Sequence, residues 1–369
     1  MSTTSFSWER LGVAPVLNAA GKMTYLGSSR PSPAVVEAMG VGARTFVDMA
    51  RAKQQVAARL AEVTGAPAAW VVASAASGLV ASVAGCIVGT DLAGIESVPQ
   101  VATRRRQVVL AAPHAVHFGA PMVQLVRLGG GEPVLVGQAN KVRLAHYEAA
   151  LTAEVAAVLY VVSHHSGEGA PTLEEVVAVA HAAEVPVIVD AAAEVDLQRY
   201  LAAGADLVVH SGHKAIGGPT SGLVLGATAA VAGVAAQDVG VSRSMKVGKE
   251  TLAGLLVAVE EYCSVSTTDA PSLDAVLDAV VAALPVELRG LTDRVTDGTR
   301  PIPRLRLILP SPAAAAELVA RLEAHHPSVR TRNHGVAAGQ IQLDPRELSV
   351  DEAGELGTIL TRILPEVLA

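Results

Sequence analysis

Short apolar runs alternate with segments of helical spacing from about residue 55 to residue 226, and this alternation constrains the fold more than any other feature. A chain that alternates strands and helices builds a mostly parallel sheet with helices on both faces. Ala and Val dominate, and aromatic residues make up only 3%, which suits helices packed closely on a buried sheet. We predict strands at Ala69–Ala73, Gln107–Ala111, Val123–Leu128, Ala157–Val162, Pro186–Val189, Leu207–His210 and Gly222–Leu225.

A second pattern begins beyond Thr267, with a strand predicted at Arg304–Leu309 and a final helix at Val350–Leu368. The 369 residues are enough for one large domain and one smaller domain. We predict an N-terminal arm and large cofactor-binding domain over residues 1–246. A long linking helix and a small C-terminal α/β domain are predicted over residues 247–369.

Charge, cysteine content and the N-terminus disfavour several classes of protein. The net charge is -7 with both signs scattered along the chain, so no nucleic-acid surface is expected. Cys86 and Cys263 form no CxxC pair, which disfavours a zinc site and fits a reducing cytoplasm. The first residues lack the basic start and apolar run of a signal peptide. The charge-free stretch Ala66–Thr90 contains Pro67, serines and glycines, so we interpret it as strand, loop and buried helix rather than a membrane span.

Three predicted strands end in polar groups, and functional groups collect beyond the carboxyl ends of parallel strands. The first strand runs into Ser74-Ala75-Ala76-Ser77 and then a helix, where small residues leave backbone N–H groups open to a phosphate. An ordinary helix cap at Ser77 is the alternative. Asp190 closes a second, fully apolar strand. Its carboxylate can bind a metal, orient a histidine, pair with a protonated ring nitrogen, or cap the residues that follow.

The third strand end leads into HSGHKAIGGPTSG, where Lys214 lies among glycines. A lysine on such a loop can serve as a Schiff-base nucleophile when its surroundings lower its pKa, and a solvated loop lysine is the alternative. Together the three strand ends supply an anion site, a carboxylate and an amine. Pyridoxal phosphate needs these groups for its phosphate, its pyridinium and its aldehyde. Asp190 and Lys214 are 24 positions apart (214 minus 190), which leaves room for one strand and one helix.

The chain resembles the fold-type-I pyridoxal-phosphate enzymes, and among them the group that contains bacterial selenocysteine synthase and D-glucosaminate-6-phosphate ammonia-lyase. KVGKE and NAAGKMT are closest to the ammonia-lyase branch. The resemblance implies a mostly parallel central sheet with helices on both faces, a small C-terminal α/β domain, and pyridoxal 5'-phosphate as cofactor. It rests on the stretches LNAAGKMTYLGSS, FVDMARAKQQVAARLAEVTGAPAAWVVASAASG, VPVIVDAAAEVD, SGHKAIGGPTSGLVLG and SRSMKVGKETLAGLLVAVEEY, which cover most of Leu17–Tyr262.

By this resemblance Lys214 is the Schiff-base lysine and Asp190 is the partner of the pyridinium nitrogen. A ring-stacking residue is expected after the strand Gln107–Ala111, where His114 and His117 both lie, and we favour His114. His213 departs from the family, which more often has a small or acidic residue before the lysine. Thr220 and Ser221 are expected to reach the phosphate of a neighbouring subunit. The predicted cofactor contacts are Ser74, Ala75, Ala76, Ser77, His114, Asp190, Ser211, His213, Lys214 and Thr220.

The segment SRSMKVGKE places Arg243, Lys246 and Lys249 close together. A solvated basic face is the ordinary interpretation of such a run. Because the resemblance puts this segment where family active sites open, we predict that it receives a phosphate or carboxylate of the substrate. Further candidates for the same cleft, and for binding the α-carboxylate of the substrate, are Lys22, Thr24, Arg330 and Arg332.

The predicted function is a lyase that eliminates a β-substituent and ammonia from an amino acid or phosphorylated amino-sugar acid. Lys214 would yield its place to the substrate amine and then remove the α-proton. Selenium transfer to a seryl-tRNA, racemisation and aldol cleavage are alternatives, and the acidic balance disfavours a tRNA partner. A non-catalytic binding protein is disfavoured because Lys214 and Asp190 are both present. We expect a cytoplasmic homodimer or higher homo-oligomer with a small-molecule substrate and without metal, nucleic acid or membrane partners.

Overall fold

The computed structural model describes residues 6–162, 169–264, 272–296 and 302–369. The chain divides into two compact units: Pro31–Val265, and a smaller unit that joins Met1–Arg30 to Ser266–Ala369. We call them the large unit and the small unit. This division does not coincide with the predicted boundary after residue 246, because the N-terminal arm belongs to the small unit and the long helix that begins at Lys249 belongs to the large unit.

The strands and helices of the described ranges are numbered in chain order. The strands are β1 (Val16–Asn18), β2 (Ala68–Val72), β3 (Gln107–Ala111), β4 (Glu132–Val136), β5 (Val155–Val161), β6 (Val187–Asp190), β7 (Leu207–Ser211), β8 (Gly222–Gly226), β9 (Thr292–Thr296), β10 (Pro303–Ile308), β11 (Ser328–Arg330) and β12 (Gln340–Leu343). The helices are α1 (Pro33–Arg44), α2 (Met49–Thr64), α3 (Ala75–Val88), α4 (Leu92–Ser97), α5 (Met122–Leu128), α6 (Leu144–Ala150), α7 (Leu173–Ala182), α8 (Arg199–Ala202), α9 (Thr228–Ala236), α10 (Lys249–Ser264), α11 (Leu273–Ala283), α12 (Val286–Arg289), α13 (Pro312–Ala324) and α14 (Val350–Leu368).

The large unit is built on a seven-stranded sheet in the order β2-β8-β7-β6-β5-β3-β4. The strands from β7 to β4 run parallel, and β8 is antiparallel to both β7 and β2. On one face Ile188 and Val209 pack in the same core as α3, and on the other Val189 and Val208 pack with α7. Because both faces are covered, β6 and β7 are buried along their whole length. The predicted parallel sheet with helices on both faces is confirmed.

The charge-free stretch of the sequence forms β2 and α3. Residues Ser77 to Ala84 of α3 are all buried, so this helix lies inside the large unit. The prediction of strand, loop and buried helix is therefore confirmed. Among the helices that the structure describes, none combines the length and the apolar character needed to cross a membrane.

One predicted strand is wrong, because Val123–Leu128 belongs to α5. Met122 and Val126 are its buried residues, and their four-residue spacing puts both on one face of a helix that begins after Pro121. A short apolar run of this kind has no period that separates helix from strand. The strand that follows is β4, which tolerates Pro133 because it lies at the edge of the sheet.

The small unit contains an antiparallel sheet in the order β12-β10-β9 and a separate parallel pair, β1 and β11. Leu17 in β1 pairs with Val329 in β11, and both are buried in the core that α11, α13 and α14 form. The paired residues are 312 positions apart (329 minus 17). This pairing explains why the N-terminal arm belongs to the C-terminal unit, which no local pattern indicates.

Candidate functional site

The turn between β2 and α3 holds the first predicted anion site. The Ser74 Oγ accepts a hydrogen bond from the Ser77 backbone N–H at 3.0 Å, and the Ser77 Oγ accepts one from the Ser74 N–H at 2.8 Å. These reciprocal bonds form a capping box in which Ser74 is the N-cap. The box fixes the turn, while the first N–H groups of any helix lack partners within the helix. The turn can therefore be both a helix cap and an anion site.

The strand β8 approaches this turn closely because it begins with glycine. A Cβ added to Gly222 would lie 2.5 Å from the Ser74 carbonyl oxygen, which is closer than real side chains come. Gly222 pairs with Val72 on one side and with Ser211 on the other. The start of α3 and the end of β7 are thereby brought to the same place.

Lys214 lies in the loop between β7 and β8, which closes through its own backbone. The Lys214 N–H donates to the Ser211 carbonyl at 3.4 Å, and the Gly218 N–H donates to the Gly212 carbonyl at 2.7 Å. The Gly212 N–H donates in turn to the Ser221 carbonyl at 2.8 Å. These bonds hold Lys214 directly beyond the end of β7.

Asp190 is the last residue of β6 and is 7% exposed. Its Oδ1 accepts a hydrogen bond from the Ala192 backbone N–H at 3.0 Å. Burial raises the pKa of Asp190, whereas the Ala192 N–H and the charge of Lys214 act in the opposite direction. Asp190 and Lys214 therefore lie within electrostatic reach of each other. A carboxylate in such surroundings is stabilised by a further cation that binds beside it.

His114 lies in a 3-10 turn directly after β3 and is 2% exposed. Its Nδ1 accepts a hydrogen bond from the Val161 backbone N–H at 3.4 Å, and its ring contacts Tyr160 edge to face at 4.6 Å between centroids. Burial lowers the pKa of His114 to about 4, so the ring is neutral near pH 7 and carries its proton on Nε2. His117, the other candidate, is exposed.

The remaining predicted cofactor contacts lie in or beside the Lys214 loop. Ser211 is buried at the end of β7, and Thr220 is exposed. The Ser221 Oγ donates to the Pro219 carbonyl at 2.8 Å, so its proton is used within the loop. His213 is partly buried, and burial and the charge of Lys214 lower its pKa.

Strand register places these groups in a row along one end of the sheet. Val161, which donates to His114, pairs with Asp190. Ser211 pairs with Gly222, which touches the turn before α3. The side chains of Asp190 and Ser211 lie on the face covered by α3, because alternate residues of β6 and β7 pack against that helix. The structure therefore brings His114, Asp190, Ser211 and the Ser74 turn to the same end of the sheet.

The three basic residues of the predicted substrate-binding segment differ in what surrounds their side chains. The Lys249 amine donates to the Gly42 carbonyl at 2.6 Å and also to the Ala43 carbonyl, so it caps the C-terminus of α1. Arg243 lies in a 3-10 turn and Lys246 follows it, and both side chains are exposed. Lys249 and Gly42 are 207 positions apart, so no local sequence pattern predicts this contact.

Two predicted substrate residues lie in the N-terminal arm of the small unit. The Lys22 amine is 3.6 Å from a Glu347 carboxylate oxygen. Burial lowers the pKa of Lys22, and the charge of Glu347 opposes this change. Thr24 begins a short 3-10 turn and is exposed. Lys22 is thus held by a neighbouring carboxylate, whereas Thr24 faces solvent.

The small unit also contains a buried ionic cluster that the sequence analysis missed. Asp344 is fully buried and lies 2.8 Å from Arg346, 3.3 Å from Arg304 and 3.8 Å from Arg332. Arg332, a predicted carboxylate-binding residue, therefore belongs to this cluster. Arg330, the other candidate, instead pairs with Glu323 at 2.8 Å. The excess of arginines over the single carboxylate was not recognisable before the fold was known, because Arg304 lies 40 positions from Asp344.

A family model for L-seryl-tRNA selenium transferase (SelA) matches residues 42–280. A 5'-C-glycyluridine monooxygenase-decarboxylase of a Streptomyces species is 39% identical to the chain, over 94% of this chain and 89% of that protein. The D-glucosaminate-6-phosphate ammonia lyase of Salmonella typhimurium is 34% identical over 96% of both. The L-seryl-tRNA(Sec) selenium transferase of Serratia proteamaculans is 28% identical over 69% of this chain and 58% of that protein.

The solved structure of a D-glucosaminate-6-phosphate ammonia-lyase covers 100% of both chains with a TM-score of 0.89 and 33% identity. A serine palmitoyltransferase of Sphingomonas wittichii shares the fold alone, with a TM-score of 0.56 and 16% identity over 95% of this chain and 86% of that one. The fold-type-I architecture predicted from the sequence is confirmed. The likeness to the glycyluridine enzyme was not foreseen. The chain belongs to the SelA family, and it is more similar to the ammonia-lyase than to the selenium transferase.

Proposed function

We propose that the protein is a pyridoxal-phosphate-dependent lyase. Its substrate is an amino acid or a phosphorylated amino-sugar acid, which loses a β-substituent and ammonia to give a 2-keto acid. Identity of 34% to a D-glucosaminate-6-phosphate ammonia lyase over nearly the whole chain supports this proposal. The structural observation that carries it is that Asp190 ends β6 and Lys214 directly follows the neighbouring parallel strand β7, so both lie beyond the same end of the sheet.

The groups at this end of the sheet suit the cofactor. The capped start of α3, with Ser74 and Ser77, offers N–H and hydroxyl groups to a phosphate. Asp190 is a buried carboxylate that a protonated ring nitrogen would stabilise. The neutral ring of His114 can lie against an aromatic face without placing a second cation there. Lys214 supplies the amine for the aldehyde.

The chemistry divides between the cofactor and the protein. Pyridoxal phosphate, when bound, withdraws the electrons that are released as the substrate α-C–H bond breaks. The Lys214 Nζ accepts the α-proton once the substrate amine has taken its place, and Asp190 keeps positive charge on the ring nitrogen. Loss of the β-substituent leaves an enamine, which hydrolyses to the 2-keto acid and ammonia.

A screen for reaction products tests the proposed reaction. Purified protein is incubated with amino acids and with phosphorylated amino-sugar acids, and ammonia and 2-keto acid are measured together. We expect both products in equal amounts from at least one substrate, and neither product from the Lys214→Ala variant. Failure of every such substrate to give ammonia would contradict the lyase proposal.

A second candidate is oxidative decarboxylation of a glycine-like amino acid. It is favoured by the 39% identity to the 5'-C-glycyluridine monooxygenase-decarboxylase. This reaction consumes oxygen and releases carbon dioxide, whereas β-elimination does neither. An oxygen electrode and a carbon dioxide assay on the same samples therefore separate the two candidates.

The assembly and location belong to the same proposal. We place the enzyme in the cytoplasm as a homodimer or a multiple of dimers, with Thr220 and Ser221 near the phosphate of a neighbouring subunit. The exposure of Thr220 supports a contact of this kind. Sedimentation of the active protein tests it, because a fully active monomer would contradict shared sites.

A further inference from the structure

A pocket of about 430 Å³ opens in the large unit next to the residues proposed to hold the cofactor. This volume is in the range of small-molecule sites. Pro113 lines the pocket and immediately precedes His114 in the same 3-10 turn. The other residues used in the argument are Asn140, Lys141, Arg143, Gly169 and Ala170, which also line it.

A tight turn after β4 builds the basic wall of this pocket. The Gln138 N–H donates to the Lys141 carbonyl at 2.9 Å, and the Lys141 N–H donates back to the Gln138 carbonyl at 3.2 Å. Gly137 enters the turn with φ of 71°, a conformation that favours glycine. The turn therefore has a defined shape and presents Asn140 and Lys141 at the carboxyl end of the strand.

The next residues explain why two cations face the same way. Val142 is 4% exposed and packs in the core of the large unit. In extended backbone, neighbouring side chains point to opposite sides. Lys141 and Arg143 flank Val142, so both point away from the core, and both line the pocket.

Among the described residues that line the pocket, the charged side chains are all basic. No acidic residue lines it within the described ranges, and neither Lys141 nor Arg143 forms an ion pair with any described residue. An exposed lysine and arginine beside an amide side chain can bind a phosphate through charge-assisted hydrogen bonds. A nucleoside without a phosphate would gain little binding free energy from these basic side chains.

We infer that this pocket binds the distal anionic group of the substrate, a phosphate monoester, and that Lys141 and Arg143 set the preference for phosphorylated substrates. The inference rests on the proposed function for the position of the reacting amine. Lys141 and Arg143 thereby replace Arg243, Lys246 and Lys249 as the proposed phosphate-binding residues. In that earlier segment the Lys249 amine already binds a carbonyl at the end of α1.

Binding of 6-phosphogluconate and gluconate to the holoenzyme tests the inference. Neither ligand has an amine, so neither can react, and they differ only in the phosphate. In titration calorimetry, Lys141→Met and Arg143→Met should each weaken 6-phosphogluconate binding by about ten- to a hundredfold, the usual effect of losing a hydrogen bond to a charged group. Gluconate binding should change less than about threefold, and Lys141→Arg should retain most of the phosphate affinity.

Lys246→Met is the matched control, because it removes an exposed lysine from the segment that the sequence favoured. It should weaken 6-phosphogluconate binding less than either pocket variant does. Equal losses for the two ligands in Lys141→Met, or a larger loss in Lys246→Met than in either pocket variant, would overturn the inference. A wild-type protein that does not prefer 6-phosphogluconate over gluconate would also overturn it. Intact phosphate preference without ammonia release would count against the proposed function alone.

Discussion

Replacing His210 with phenylalanine should make the protein less sensitive to acid. His210 lies in β7, is 1% exposed, and points to the face opposite Ser211. Neither of its ring nitrogens has a hydrogen-bond partner of standard geometry among the described residues. Burial lowers the pKa of His210 to about 4, and the Ala191 backbone and the Asp196 carboxylate oppose this change only in part. The folded protein therefore resists protonation of this ring.

Proton linkage gives the magnitude. The ordinary pKa of 6.5 applies to the unfolded chain and about 4 to the folded one, so the unfolded chain binds more protons between these values. Stability that is present above pH 6.5 is consequently lost as the pH falls towards 4. At about 1.36 kcal/mol for each pKa unit, the loss is about 2 kcal/mol between pH 7.5 and 5.0. Its limit at lower pH is about 3.4 kcal/mol. Phenylalanine binds no proton and avoids this loss.

Urea unfolding followed by circular dichroism at pH 7.5 and 5.0 measures the effect. The free energy of unfolding of His210→Phe minus that of the wild type should be about 2 kcal/mol larger at pH 5.0 than at pH 7.5. His117→Gln, at an exposed position, should follow the wild type. A His210→Phe protein that loses as much stability as the wild type would refute the reasoning, because His210 would then not resist protonation in the folded state.

Three further substitutions test the site and its surroundings. Borohydride reduction should attach a pyridoxyl group to Lys214, and Lys214→Ala should remain folded without the label; peptide mapping that finds another lysine labelled would contradict the assignment. Asp190→Asn should lower kcat by two to three decades, from a loss of about 3–4 kcal/mol of electrostatic stabilisation, and near wild-type ammonia release at equal cofactor occupancy would make Asp190 a structural cap. Lys249→Met should lower the free energy of unfolding by about 1–2 kcal/mol because the end of α1 loses its donor, whereas Lys246→Met should not. Equal stabilities of these two variants in urea would exclude the capping role.

The sheet and the ends of its strands were predictable because both leave local signals. A parallel strand covered on both faces must be apolar throughout, so a polar residue where such a run ends, as at Asp190, is conspicuous. The helix α5 (Met122–Leu128) left no such signal, because its seven apolar and polar residues fit either the helical or the strand period. The membership of β1 in the small unit depends on the pairing of Leu17 with Val329, which only the folded chain reveals.

The basic residues show why a site is harder to predict than a fold. In the sequence Lys246 and Lys249 look equivalent, and Lys141 and Arg143 look like surface charges on either side of a valine. The fold separates the first pair, because the carbonyls of α1 bind the Lys249 amine while Lys246 stays exposed. It joins the second pair, because burial of Val142 turns both flanking cations towards the pocket. The sequence shows which residues are charged. Whether a charged side chain is available to a ligand depends on the carbonyl, carboxylate or apolar core that lies beside it. Those neighbours come from distant parts of the chain.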